Sequence, residues 1–99
     1  MTGLPPERIE KLMTITRAEL AASLATLDAD AHFGADDAAS FRIGAHRAVI
    51  HVEELEKRRL GGLILLPQAR VTLVLATVPE SARAAFLRSF DIAFQRGGG

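Results

Sequence analysis

Leu60-Gly61-Gly62-Leu63-Ile64-Leu65-Leu66-Pro67-Gln68-Ala69-Arg70-Val71-Thr72-Leu73-Val74-Leu75-Ala76-Thr77-Val78 is the stretch whose reading decides the fold. It is the most apolar segment of the chain and rich in branched aliphatic residues, which favour a pleated, half-buried backbone. Two glycines and a proline divide it. Proline has no N–H to give to a ladder, so Pro67 marks a bend, bulge or edge between strand-like segments at Leu63–Leu66 and Arg70–Thr77. In the second segment Val71, Leu73 and Leu75 take one face, and Arg70, Thr72, Val74 and Ala76 take the other.

Downstream, Val78-Pro79-Glu80 opens a helix with proline and an acid in its first turn. Phe86, Phe90 and Phe94 recur on one side with Arg83 and Leu87, which predicts a helix whose aromatic stripe enters the core. Gln95-Arg96 and the glycines 97–99 close it with a cation and a flexible tail.

Upstream, two readings stand for 53–60. Glu53–Lys57 and Glu54–Arg58 are i,i+4 pairs in the favourable order, and Gly61 follows where a helix end wants glycine, which predicts a short helical turn. The alternative is a strand turned back on Leu63–Leu66 by Gly61-Gly62, at odds with its charges on both faces beside an apolar partner. Before it, Ser40–Ile43 and Arg47–Glu53 alternate in strand fashion around a Gly44-Ala45 turn. Ala48, Ile50 and Val52 face one way, and Arg47, Val49, His51 and Glu53 the other.

Leu4-Pro5-Pro6-Glu7 reads as a helix entrance after a lead-in at 1–5. Ile9, Leu12, Met13, Thr16, Leu20, Leu24 and Leu27 then follow at three- and four-residue intervals, predicting one amphipathic helix over 6–27. A second reading divides it, because Thr14-Ile15-Thr16 is β-branched and Thr16-Arg17-Ala18-Glu19 has the form of a capping box. Residues 28–39 form a polar, glycine-bearing break whose aspartates oppose the dipole at a helix C-terminus.

The expected architecture is one α+β domain over 1–99, in the order α-β-β-(helical turn or hairpin)-β-β-α. Helices from the two ends pack on one face of a three- or four-stranded antiparallel sheet, a two-layer sandwich. The length allows one modest core, and 48% hydrophobic with 24% charged residues is a globular composition.

Composition also narrows function. Twelve basic and twelve acidic residues balance, which removes any global field toward nucleic acid or an anionic membrane. With no cysteine, thiolate catalysis, disulfides and cysteine-ligated metals are excluded. The N-terminus lacks the pattern of a signal peptide, and no apolar run reaches the ~18 residues that span a bilayer, so a cytoplasmic, membrane-free location is expected.

No catalytic set is visible. The four serines fall outside any nucleophile elbow, and Gly61-Gly62 lacks the lysine of a phosphate loop. Asp28, Asp30, His32, Asp36 and Asp37 are metal-ligand types, yet a calcium loop counted from Asp28 meets Phe33 and Ala39 where it needs glycine and glutamate. No metal or cofactor is expected. Lys57-Arg58-Arg59 is the sole basic run, and the neighbouring glutamates neutralise it, which argues against nucleic acid.

The face opposite the helices is the candidate surface. It collects Arg42, Arg47, Val49, His51, Glu53, Arg70, Thr72 and Val74. Apolar residues among arginines and a histidine suit an interface, and Arg42, Arg47, His51, Arg70 and Val74 are its candidate binding residues. The leading expectation is a non-enzymatic binding or accessory protein, a homodimer or a partner of another protein, acting through this face. The alternative is a small anionic ligand, or an enzyme acting on one, held by Arg42, His51 and Arg70; a weaker one is nucleic acid at Lys57–Arg59.

Overall fold

The computed structural model describes residues 7–98, with side chains through Phe94. The architecture is α+β, with the order β1 (Arg8–Met13), α1 (Arg17–Leu27), β2 (Ala38–Ile43), β3 (His46–Leu60), β4 (Ile64–Val74) and α2 (Glu80–Gly98). The strands form one antiparallel sheet in the spatial order β1-β4-β3-β2. Both helices contribute to a single core on one of its faces.

The period of two sets that face. Ile9, Leu73, Ile50 and Ala39 stand side by side across the four strands, and Val71 and Val52 form the next row. Leu20 and Leu24 of α1 and Phe86, Phe90 and Phe94 of α2 close over them. Phe41 of β2 is the hub, with ring centroids 5.6 Å from Phe86 and 6.1 Å from Phe90, while Phe90 stacks on Phe94 at 4.2 Å. Such aromatic pairs add roughly 0.5–1.5 kcal/mol beyond the area they bury.

The single helix expected over 6–27 is corrected: Arg8–Met13 is a strand and Arg17–Leu27 a helix. At so short a length, Ile9, Leu12 and Met13 satisfy helical spacing while Ile9, Lys11 and Met13 satisfy strand alternation. The backbone of β4 decides between them, because without β1 its outer N–H and C=O groups would lack partners. Lys11 falls on the covered face, where its Nζ lies 3.4 Å from Asp91 Oδ1 of α2. The start of α1 is the capping box: Thr16 Oγ1 accepts from Glu19 N–H at 3.1 Å, and Glu19 Oε1 accepts from Thr16 N–H at 2.9 Å. The expected lead-in at 1–5 lies outside the described residues.

Of the two readings of 53–60, the helical turn is corrected and the hairpin turned at Gly61-Gly62 holds. These residues continue β3, and Gly61, at φ +69°, takes part in the turn back into β4. Nor does Pro67 end a strand. Leu55 stands opposite Gln68 and Arg58 opposite Leu66, so Glu56 and Lys57 together face Pro67 alone. This bulge sits where the proline offers no N–H, and β4 runs through from Ile64 to Val74. At the other end, α2 extends through Gly98, so Gly97 and Gly98 belong to it rather than to a tail; Gly99 is outside the described residues.

Two anchors fix the loop between α1 and β2. Asp28 accepts from the Asp30 N–H at Oδ1 and from the Arg42 N–H at Oδ2. Arg17 Nε lies 2.9 Å from Asp37 Oδ1, its Nη2 donates to Gly34 C=O, and its guanidinium lies 5.3 Å from the centre of the Phe33 ring.

Candidate functional site

Register places every candidate residue on the uncovered face of the sheet. Arg8, Val74, Val49 and Ser40 make one row across the four strands. Glu10, Thr72, His51 and Ala38 make the next, and Leu12, Arg70 and Glu53 a third. Arg42 stands opposite Arg47 nearer the β2–β3 turn. Val49, Thr72 and Val74 are half-buried by their neighbours, and Leu12 is 64% exposed.

The arginines are not equivalent. Arg70 lies between two carboxylates, with Nη1 donating to Glu53 Oε1 at 2.8 Å and Nε 3.6 Å from Glu10 Oε2. Its charge is met within the chain. Arg47 Nη1 donates to Ser40 Oγ at 3.1 Å, a neutral partner, and directly opposed Arg42 adds a like charge. The rows of Arg47 and Glu53 are six residues apart along β3, roughly 20 Å at 3.3 Å per residue, and β3 separates Arg42 from Arg70 laterally. Arg42, His51 and Arg70 are therefore spread over the face, and no single small anion could be gripped by all three.

The hairpin, the second of the two readings of 53–60, carries this face further. Beyond the row of Met13 and Ala69, β4 has no β1 beside it, and beyond Ala38 and His51, β3 has no β2. From about Leu55 to Gln68 the two strands therefore run on as a two-stranded arm. Leu60, Leu63, Ile64 and Leu65 are exposed along it, Leu63 at the turn to 98%. Pairing puts Leu60 beside Ile64 and Arg58 beside Leu66. Lys57, Arg58 and Arg59 are exposed on the arm, with Glu56 next to them. The usable signal was the glycine pair between charged and apolar segments, since charges on both faces cost little in an arm that no helix covers.

Of the concavities among the described residues, one lies between the helices and one borders this face at His51 and Glu53. A groove of about 650 Å³ between α1 and α2 is lined by Ala22, Ser23, Thr26, Ala93 and Ile92 among others. A cleft of about 500 Å³ beside β3 is lined by Arg17, Asp36, Asp37, His51, Glu53 and Glu54. Both are broad and open. Among the described residues there is no group of three or more His, Cys, Asp or Glu side chains placed to hold a metal ion. Nor is any helix among them long and apolar enough to cross a membrane. His32 Nδ1 lies 3.1 Å from the Asp30 carbonyl oxygen, a local contact that serves the loop. Comparison with protein-family models, curated proteins and solved structures finds no match for the chain.

Proposed function

We propose that this chain is a non-enzymatic binding protein that acts through the uncovered face of its sheet, and that it does so as a homodimer. The observation that supports it is the one-sidedness of the two layers. Both helices lie on one face, while the other presents Val49, Val74, Leu55 and Leu12 and continues into the leucines of the arm. At about 4.8 Å between strands and 3.3 Å per residue, the face and arm together offer roughly 600 Å², against about 800 Å² per partner in a standard interface. A second copy of the same surface is the occupant that size and composition fit, since isologous pairs are the commonest assemblies. The spread of Arg42, His51 and Arg70, and the ion pairs that hold Arg70, favour contact over catalysis.

Light scattering on the purified chain at tens of micromolar tests this. The expected mass is twice the 10.6 kDa of the chain, falling to one copy in Val74→Glu. Val74 faces Arg8 at the sheet surface, so the fold accepts the carboxylate. A wild-type monomer overturns the reading.

A further inference from the structure

We infer that the two copies meet about a two-fold axis running along the strands, between β3 and β4. This inference rests on the homodimer reading above and adds the relation between the copies. An axis in that place lays β3 of one copy over β4 of the other and turns each cross-strand row onto itself. Val49 then faces the partner's Val74, His51 the partner's Thr72, Glu53 the partner's Arg70, and Leu60 the partner's Ile64. These four pairs already stand side by side within one chain. Val49–Val74 and Leu60–Ile64 match apolar with apolar, Glu53–Arg70 matches carboxylate with guanidinium and His51–Thr72 imidazole with hydroxyl. These four rows thus complement their own two-fold image, while the same axis sets Leu55 on the partner's Gln68 and Arg58 on the partner's Leu66.

Charge selects this axis over its rivals. An axis across the strands lays β3 on β3 and β4 on β4 with directions reversed. The register that then sets Glu53 on the partner's Arg58 puts Leu60 on the partner's His51. Pairing the free edges of two arms side by side leaves the leucines of both faces in water. The parallel arrangement covers Leu55, Leu60, Ile64 and Leu66 together and gives Arg70 a further carboxylate. It also supports the arm, since a two-stranded ribbon alone is marginal in water. Sheets packed this way stand about 10 Å apart with strand directions within about 30°.

The chain contains no cysteine, so one introduced thiol carries one label. Leu63→Cys, at a turn position 98% exposed, leaves the core untouched. Pulsed electron–electron spin resonance between nitroxides at this site reads the distance between the two arm tips. With sheets about 10 Å apart and the label arms added, tips lying together give a distribution centred at about 20 Å. Tips at opposite ends give distances near the 45 Å length of the molecule. A dimeric mass with the short distance supports the inference. A dimeric mass with the long distance overturns it and leaves the homodimer standing. A monomeric mass without dipolar coupling overturns both.

Discussion

Arg70 and Glu53 face each other across β3 and β4, with 2.8 Å between Nη1 and Oε1, at the centre of the uncovered face. Glu10, from β1 on the other side, brings its Oε2 to 3.6 Å from Nε of the same guanidinium. Three strands thus converge on one cation. The pairs stand in water, with 62% and 65% of the two glutamate side chains accessible, so their contribution within one chain is small. Exposed ion pairs contribute about 0.2–1 kcal/mol. Replacing Glu53 by Gln should lower the monomer's stability by about 0.5 kcal/mol, with the loss shrinking as salt screens the charge. Urea unfolding at low and high ionic strength checks this, in the Val74→Glu background so that the proposed self-association does not contribute.

The start of α1 depends on Thr16. Its hydroxyl accepts the Glu19 N–H, and the Glu19 carboxylate returns a bond to the Thr16 N–H. Thr16→Ala leaves the Glu19 N–H without that acceptor and should cost about 1 kcal/mol, as loss of a cap does. Glu19→Gln keeps the reciprocal geometry and should cost less. The difference between the two variants in urea midpoint is the measurement.

Phe90 is fully buried and touches both Phe41 of β2 and Phe94 of its own helix. Phe90→Ala should destabilise by about 3–5 kcal/mol, since the lost transfer energy and the cavity add. Much of a small domain's stability is of that order. Loss of the cooperative thermal transition, or a midpoint lower by ten degrees or more, is the expected result. Phe90→Leu should recover most of it.

Gly61 has φ +69°, and a Cβ built there would meet nothing within 4 Å. The cost of Gly61→Ala is therefore one of backbone conformation alone, about 1 kcal/mol, the penalty of the left-handed region for a residue with a Cβ. The effect should stay in the arm. Amide hydrogen exchange should quicken from Leu55 to Gln68 and remain unchanged in β2 and in the strand centres at Val71 and Leu73.

Much of this arrangement was legible in the residues themselves. Phe86, Phe90 and Phe94 announced a buried helix face, and the hairpin at Gly44-Ala45 followed from alternation on either side of a turn. Because a strand's side chains alternate strictly, one correct strand assignment places all its residues, which is why Arg42, Arg47, His51, Arg70 and Val74 could be gathered on one face in advance. These features depend on neighbours close in sequence, where periodicity and turn chemistry suffice.

What only the tertiary structure decided depends on distant partners. Arg8–Met13 carries two periods at once, and it becomes a strand because β4, some sixty residues on, offers an edge whose hydrogen bonds need filling. Glu53–Leu60 carries good helical ion pairs, and it becomes a strand because β4 pairs with it all the way to Leu60. Pro67, a breaker by local rules, stays within β4 because an extra residue on β3 absorbs its missing N–H. So Leu60–Val78 divides by its surroundings: the residues from Ala69 to Val74 lie between two strands and bury Val71 and Leu73 beneath the helices. Leu63, Ile64 and Leu65, no less apolar, stand exposed because, among the described residues, β1 does not reach them and neither helix lies over the arm. Local chemistry chose the elements with one period; backbone pairing across the sheet chose those with two.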